Sequence, residues 1–246
     1  MRRYPSMVPT PRHALLFIPL LLAACGFDRP VTPGDPRPLI KGLLVADADS
    51  QYFLLEWASP ADSDFSNDPH PIDPSLVALT VTGGGASAPL VPFSGVLSNY
   101  VTTLPVRTDS TYSLTGTVDG SSVSALTQVP HGVTVTTELP DTVIIDSLAD
   151  CDFFCTVPFQ VSAVGADGFL LELRDSTGAV LQVMSATAAT DSLQLEPFIR
   201  ARRLYVYAVD ANAAAWLFSE EPASSVEGAV GLFGSAVLKK LVVRWQ

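Results

Sequence analysis

Apolar and polar residues alternate with a period of two along most of the chain from Leu39 onward, and β-branched residues are frequent there. A period of two puts successive side chains on opposite faces of an extended strand, whereas an amphipathic helix requires a period near 3.6. Helical candidates are few, and one of them, the alanine-rich stretch Val209–Phe218, is compatible with a short helical turn between strand-like flanks. The predicted strands are Leu39–Ala46, Tyr52–Trp57, Leu76–Thr82, Tyr112–Val118, Ser121–Val129, Val133–Glu138, Val143–Asp146, Thr156–Ala163, Phe169–Arg174, Val180–Met184, Arg203–Val209 and Val237–Trp245.

The segment Thr111–Pro130 carries the clearest local signal, an Asp119-Gly120 pair between two alternating runs. An Asp-Gly pair readily adopts the positive φ angles that a two-residue hairpin turn requires. Tyr112 and Leu114 lie on one face of the run that enters the turn. We therefore predict a β-hairpin over this segment.

Short strands at intervals of roughly 8–12 residues are typical of antiparallel sandwiches rather than of βαβ units. The composition shifts near Pro130–Pro140, so we predict an all-β chain of two tandem antiparallel β-sandwich modules, immunoglobulin-like or transthyretin-like, at residues 39–138 and 139–246. One continuous sandwich is the alternative. Lysine is mixed across both faces of Val237–Trp245, which predicts an edge strand protected by Lys239 and Lys240.

The first 24 residues have the three parts of a lipoprotein signal peptide. Arginines without acidic residues precede the nine-residue apolar core Ala14–Leu22, which is too short to span a bilayer. Leu22-Ala23-Ala24-Cys25 has the form of a lipobox, so we predict that residues 1–24 are removed and that Cys25 is acylated. An ordinary secretory signal is the alternative. Residues 25–38 are rich in proline and predict a semi-extended tether.

Charge and hydropathy exclude several classes of function. Removal of the signal takes three of the 14 basic residues and none of the 25 acidic ones, which leaves a formal charge of −14. An acidic surface repels nucleic acid and anionic lipid headgroups. No later apolar run reaches about 18 residues, so no second membrane anchor is predicted.

Catalytic motifs are scarce, and we predict that the chain is not an enzyme. After the signal the histidines are His70 and His131, both beside prolines, and the sequence has no G-x-S-x-G elbow, P-loop or G-x-G-x-x-G. The alternative is an envelope glycan hydrolase with paired carboxylates, for which Glu172 and Glu196 are the candidates.

The cluster Asp62, Asp64, Asp68 and Asp73 is the one carboxylate group with a spacing suited to a hard cation. Asn67 stands where a calcium loop has glycine, and no glutamate closes the segment. We interpret it as an acidic, solvated loop, with a calcium site as the weaker alternative. No metal or cofactor is predicted.

Four segments resemble an uncharacterised family of envelope lipoproteins of Bacteroidota and related bacteria, which are often encoded beside TonB-dependent receptors. They are the lipobox at Cys25, Tyr112-Ser-Leu-Thr-Gly-Thr-Val with its return Val123-Ser-Ala-Leu-Thr-Gln-Val-Pro130, Tyr205-Val-Tyr-Ala-Val-Asp210-Ala-Asn212, and Gly228-Ala-Val-Gly231-Leu-Phe233-Gly234-Ser. The chain departs from the family at Ala213-Ala-Ala215, where members usually carry aromatic residues. The resemblance implies a location and an architecture but no chemistry.

The residues of the last two segments favour a structural interpretation. Asp210 and Asn212 are turn formers at the end of an apolar strand. Gly228, Gly231 and Gly234 allow positive φ angles or a close approach of the backbone between strands.

Together these features predict a lipid-anchored protein of the bacterial cell envelope with a non-catalytic binding or assembly role. Gly26, which follows the acylated cysteine, is not the aspartate that favours retention in the inner membrane, so the outer membrane is the expected location. The resemblance implies an envelope protein as partner, such as a TonB-dependent receptor. A passive structural spacer is a further alternative.

The remaining cysteines, Cys151 and Cys155, face the oxidising side of the membrane, and we predict one structural disulfide between them. Non-reducing mass spectrometry should find a loss of about two mass units, and two freely alkylated thiols would rule the bond out. The loop is short, so the double serine variant should lose only about 2 kcal/mol in its free energy of unfolding.

Overall fold

The computed structural model describes residues 37–58, 70–95, 97–145, 155–187, 192–195 and 201–246. The strands are β1 (Pro38–Val45), β2 (Gln51–Trp57), β3 (Val77–Gly83), β4 (Ala86–Pro89), β5 (Val91–Pro92), β6 (Tyr100–Thr102), β7 (Thr111–Val118), β8 (Ser121–Gln128), β9 (Thr134–Thr136), β10 (Thr142–Ile145), β11 (Cys155–Pro158), β12 (Gln160–Ser162), β13 (Gly168–Arg174), β14 (Val180–Ala186), β15 (Ser192–Leu195), β16 (Arg203–Val209), β17 (Val226–Glu227) and β18 (Val230–Trp245). The α-helix α1 spans Ala211–Leu217, and a short 3₁₀ turn spans Pro74–Leu76. The prediction of an all-β sandwich fold is confirmed.

A nine-stranded sheet runs through the whole described molecule in the order β14-β13-β16-β18-β1-β2-β6-β5, with β10 also beside β18. Its longest strand is β18, with 16 residues. The first half of β18 pairs in parallel with β1, from Leu39 opposite Val230 to Val45 opposite Ala236. The second half pairs antiparallel with β16 and in parallel with β10. The sandwich is therefore not purely antiparallel, because both parallel ladders are made by β18.

Two cores lie against one face of this sheet. The five-stranded sheet β17-β8-β7-β3-β4 encloses the N-terminal core, whose members include Ile40, Leu44, Phe53, Leu55, Leu79, Val81, Tyr112, Leu114 and Phe233. The pairs β11-β15 and β12-β9 are the small sheets of the C-terminal half, where the core includes Val143, Ile145, Val157, Phe159, Phe169, Leu171, Leu204, Val206 and Leu241.

The opposite side of the nine-stranded sheet, which we call the outer face, carries a third apolar cluster under α1. Its members are Leu43, Val45, Leu170, Tyr205, Tyr207, Val209, Ala213, Trp216, Leu232 and Ala236. β13 and β16 contribute residues to this cluster and to the C-terminal core, so six consecutive residues of β16 are buried.

The two cores do not divide at residue 139. Val226, Ala229, Phe233 and Val237 lie far beyond that position and pack in the N-terminal core. Leu241 and Val243, a few residues further along β18, pack in the C-terminal core. One strand therefore contributes side chains to both halves.

The prediction of an edge strand at Val237–Trp245 is wrong, because β18 has neighbours on both sides. Lys239 instead forms an ion pair with Asp141, on the loop before β10. Lysine at exposed positions does not distinguish an edge strand from a central strand that is open to solvent on one side.

Each of the other predicted strand regions contains a strand. The structure differs from the prediction in two respects: one region is divided, and five short strands were not predicted. Thr156–Ala163 is divided into β11 and β12, which pair with different partners, because the chain leaves the first ladder at Pro158 and buries Phe159. The sequence did not indicate β4, β5, β6, β15 and β17, which have only two to four residues and show no countable period.

The predicted hairpin is confirmed. Val118 lies opposite Ser121, and Asp119 and Gly120 both have positive φ angles, of 49° and 73°. Two positive φ angles are the signature of a type I′ turn. The hydroxyl of Tyr112 accepts a hydrogen bond from the Arg107 amide at 2.9 Å and donates one to the Pro105 carbonyl at 3.1 Å. This return contact to backbone a few residues upstream resembles the tyrosine corner of immunoglobulin-like sandwiches.

Replacing Gly120 by valine should lower the free energy of unfolding by about 1–2 kcal/mol, because a β-branched residue is disfavoured at positive φ. A new Cβ would meet no atom within 4 Å, so backbone strain alone should cause the loss. Ser121→Ala, at the exposed neighbouring position, is the control and should be near neutral. Thermal and chemical denaturation of the full chain measure both variants. Equal stability of Gly120→Val and the parent would contradict the assigned turn.

Candidate functional site

Asp210 is the centre of a buried polar cluster where β16 ends and α1 begins. Its Oδ1 accepts hydrogen bonds from the Ala213 and Ser235 amides, each at 3.0 Å. Its Oδ2 accepts a hydrogen bond from the Thr127 hydroxyl. The carboxylate therefore caps the helix and binds β8 and β18 at the same time.

Asn212 adds further hydrogen bonds to this cluster. Its Nδ2 donates to the Leu126 carbonyl at 2.7 Å and to the Phe233 carbonyl at 3.0 Å. The Ser235 hydroxyl donates to the Gln128 carbonyl at 3.0 Å. These bonds join β8 of the five-stranded sheet to β18 of the nine-stranded sheet.

Gly234 permits the close approach of α1 to β18. A Cβ at this position would lie 2.9 Å from the Ala213 Cβ and 3.0 Å from Asp210 Oδ1. Gly228 and Gly231 have φ angles of 76° and 136°, which confirms the expectation that glycines of this motif adopt positive φ. The glycine motif near the end of the chain is therefore needed for packing.

Burial raises the pKa of Asp210, and the hydrogen bonds from Thr127, Ser235 and Ala213 oppose this rise. Both carboxylate oxygens are occupied by donors from the fold itself. This arrangement suits a structural link, and it presents no free carboxylate oxygen to a substrate.

A second polar cluster lies on the outer face, around Glu172. The side chains of Glu172 and Arg174 are almost fully buried, with exposed fractions of 0% and 1%. Arg174 Nε donates to Glu172 Oε2 at 2.8 Å, Arg174 Nη2 donates to the same oxygen, and the Tyr207 hydroxyl donates to it at 3.3 Å. The ring of Tyr205 lies 4.6 Å from the Arg174 guanidinium and 5.5 Å from the Lys240 ammonium.

Burial raises the pKa of Glu172, while the charge and hydrogen bonds of Arg174 and the hydrogen bond from Tyr207 lower it. Burial also raises the pKa of Tyr207, which keeps its hydroxyl a donor. Within the described ranges Glu172 Oε1 accepts no hydrogen bond. The carboxylate is thus held mainly by one guanidinium, the geometry of a buried ion pair.

One residue of the predicted hydrolase pair, Glu172, lies in the described part of the chain. Glu172 contacts Arg174 and Tyr207 rather than a second carboxylate in the described part of the chain. Glu196 lies outside the described residues.

The other predicted site residues are distributed over the molecule. Asp73 caps the 3₁₀ turn, where its Oδ1 accepts hydrogen bonds from the Ser75 amide and hydroxyl at 2.9 and 2.8 Å, and these bonds lower its pKa. Cys155 is buried at the start of β11. Predicted residues that lie outside the described ranges are Cys25, Asp62, Asp64, Asp68 and Cys151.

Among the described residues, no three His, Cys, Asp or Glu side chains gather as a metal site would require. His70 is exposed, and the side chain of His131 is 59% exposed and pairs with Asp109. Both histidines therefore lie on exposed loop segments.

Sequence reasoning missed the partners in both clusters. Glu172 and Arg174 are two residues apart on a strand and therefore share a face, a spacing that could have indicated their ion pair. The sequence pattern around Asp210 indicates only a turn former. Thr127 lies 83 residues from it in sequence, and no local pattern connects them.

No protein-family model matches the chain, and comparison with curated proteins gives no match. A solved structure, of the FN1–FN3 domains of chicken CNTN1, aligns with 86% of this chain at 13% sequence identity and a TM-score of 0.27. The chain covers 66% of that structure's length, just under two thirds. A similarity this low adds no argument about function. No helix in the described ranges is long and apolar enough to cross a membrane.

Replacing Asp210 by alanine should lower the free energy of unfolding by about 3 kcal/mol, because it removes a helix cap and leaves buried donors unpaired. Asp210→Asn should lose less, since its carbonyl oxygen can still accept from both amides. Glu220→Ala removes an exposed acid beyond the end of α1 and is the control. Chemical denaturation measures all three variants. A loss below about 1 kcal/mol for Asp210→Ala would show that the cluster does not hold the halves together.

Proposed function

We propose that this protein is a non-catalytic binding or assembly lipoprotein of the bacterial cell envelope. Acylated Cys25 holds it to the outer membrane, and the proline-rich residues 25–38 connect that anchor to β1. Its role is that of an accessory to an outer-membrane receptor. The sequence features of the leader and the resemblance to envelope lipoproteins support this location.

The shared strand β18 is the observation that best supports a scaffold role. Because β18 contributes to both cores and Asp210 links it to β8, the two halves are held in one arrangement. A rigid arrangement of this kind suits a surface that docks a partner, since little conformational entropy is lost on binding.

The charged clusters also favour binding over catalysis. The oxygens of Asp210 are occupied within the fold, and Glu172 is held by Arg174. A retaining or inverting glycosidase needs two carboxyl groups about 5–9 Å apart across an accessible cleft. The hydrolase is retained as the alternative because burial raises the pKa of Glu172, as a general acid requires.

Cys25→Ser tests the anchor. The parent should incorporate labelled fatty acid and stay in the membrane pellet through salt and alkaline washes, because several acyl chains on one cysteine hold a protein firmly. The serine variant should lose the label and leave the washed pellet. A serine variant of mature size that resists those washes would contradict the anchor.

Cross-linking of native membranes tests the role. The parent should be recovered with an outer-membrane receptor, and the Asp210→Ala variant should be recovered with less of it if the fixed arrangement matters. Hydrolysis of envelope glycan by the purified chain, lost in Glu172→Gln, would instead establish the alternative.

A further inference from the structure

Three exposed cations lie together on the outer face near the end of β18. They are Arg203 on β16, and Lys240 and Arg244 on β18. Val242 lies between the two β18 residues and is 49% exposed. We call Arg203, Lys240, Val242 and Arg244 the cationic patch.

The strand register determines the spacing within the cationic patch. Arg203 lies directly opposite Val242, so it is diagonal to both Lys240 and Arg244. Diagonal neighbours on an antiparallel pair are about 7–8 Å apart. The three charges therefore form a shallow triangle on one face rather than a scattered set.

The charges of the cationic patch have no ion-pair partner in the described part of the chain. No carboxylate of the described ranges forms an ion pair with Arg203, Lys240 or Arg244, whereas Lys239 pairs with Asp141 and Arg174 pairs with Glu172. Like charges gathered on a sheet destabilise it slightly. In a chain with such a large acidic excess, three neighbouring cations without a carboxylate partner in the described ranges are a local reversal of the surface charge.

We propose that the cationic patch binds an extended acidic segment of a protein partner. The proposal rests on the binding role argued above and identifies the surface and the chemistry of that role. Alternate residues of an extended peptide are about 6.6 Å apart, so acidic side chains two residues apart match the diagonal spacing of the cations.

The apolar residues of this surface favour a peptide over a phosphate-rich ligand. Val242 is exposed between the cations, and the half-buried Ile144 lies beside Arg244 in the register of β10. An alternating acidic and apolar strand would contact both kinds of side chain at once.

The position of the cationic patch favours a partner away from the anchoring membrane. The predicted tether joins the fold at β1, whose Leu39 pairs with Val230 at the start of β18. Arg244 is 14 residues further along the same strand, a distance of about 45 Å at the usual rise per residue. The patch and the tether therefore lie at opposite ends of β18.

Fluorescence anisotropy with a labelled Glu-Val-Glu-Val-Glu-Val peptide tests the proposal on the full mature chain in neutral detergent. Binding should weaken with added salt, and Arg203→Glu combined with Arg244→Glu should weaken it at least tenfold. Arg37→Glu combined with Arg107→Glu makes the same change in net charge at exposed positions on the N-terminal half and should alter binding less than twofold. Lys240→Glu alone gives a second measure if the double variant melts early.

Equal loss in the two double variants would overturn the proposal, because net charge would then explain binding. It would also be overturned by binding of phosphatidylglycerol vesicles with no binding of the peptide, or by self-association of the chain that disappears in Arg203→Glu with Arg244→Glu. The peptide assay uses purified protein, so it can succeed even where cross-linking finds no receptor. A failure of the assay leaves the anchor and the cross-linking result intact.

Discussion

The carboxylate of Asp210 is the interaction on which the arrangement of the two halves most depends. It accepts hydrogen bonds from α1, from β8 and from β18, and the β8 donor, Thr127, lies 83 residues away in the sequence. Burial of a carboxylate is costly unless its oxygens are hydrogen-bonded, and here each oxygen has a donor. The glycine at position 234 is part of the same constraint, since any side chain there would displace Ala213 or the carboxylate itself.

The long strand β18 makes this constraint extend to both cores. A strand exposes one set of alternate residues to each face, and β18 uses one set for Phe233 and Val237 in the N-terminal core and for Leu241 and Val243 in the C-terminal core. Its partner on one side changes from β1 to β10 along its length, and on the other side β16 pairs with its second half, from Ala236 to Val242. The two sandwiches therefore share one sheet and are not separate domains connected by a linker.

The charged residues of the outer face fall into two groups, one buried ion pair and three exposed cations that have no carboxylate partner in the described ranges. Glu172 and Arg174 neutralise each other under the outer face, so their contribution is to packing and to the position of Tyr205 and Tyr207. Arg203, Lys240 and Arg244 remain exposed next to this pair. In a chain with a large acidic excess, the proposed docking of an acidic partner at the cationic patch is favoured by charge complementarity.

The sequence by itself determined the local features: the strand regions, the Asp119-Gly120 turn, the turn-forming character of Asp210 and the need for glycine near residues 228–234. Each depends on residues a few positions apart, through side-chain period or allowed φ angles. Only the tertiary structure decided that β18 is central, that Thr127 and Ser235 meet Asp210, and that Arg203 lies between Lys240 and Arg244. These contacts depend on which strands pair and in what register, and that choice is made by the burial of whole faces rather than by any local pattern.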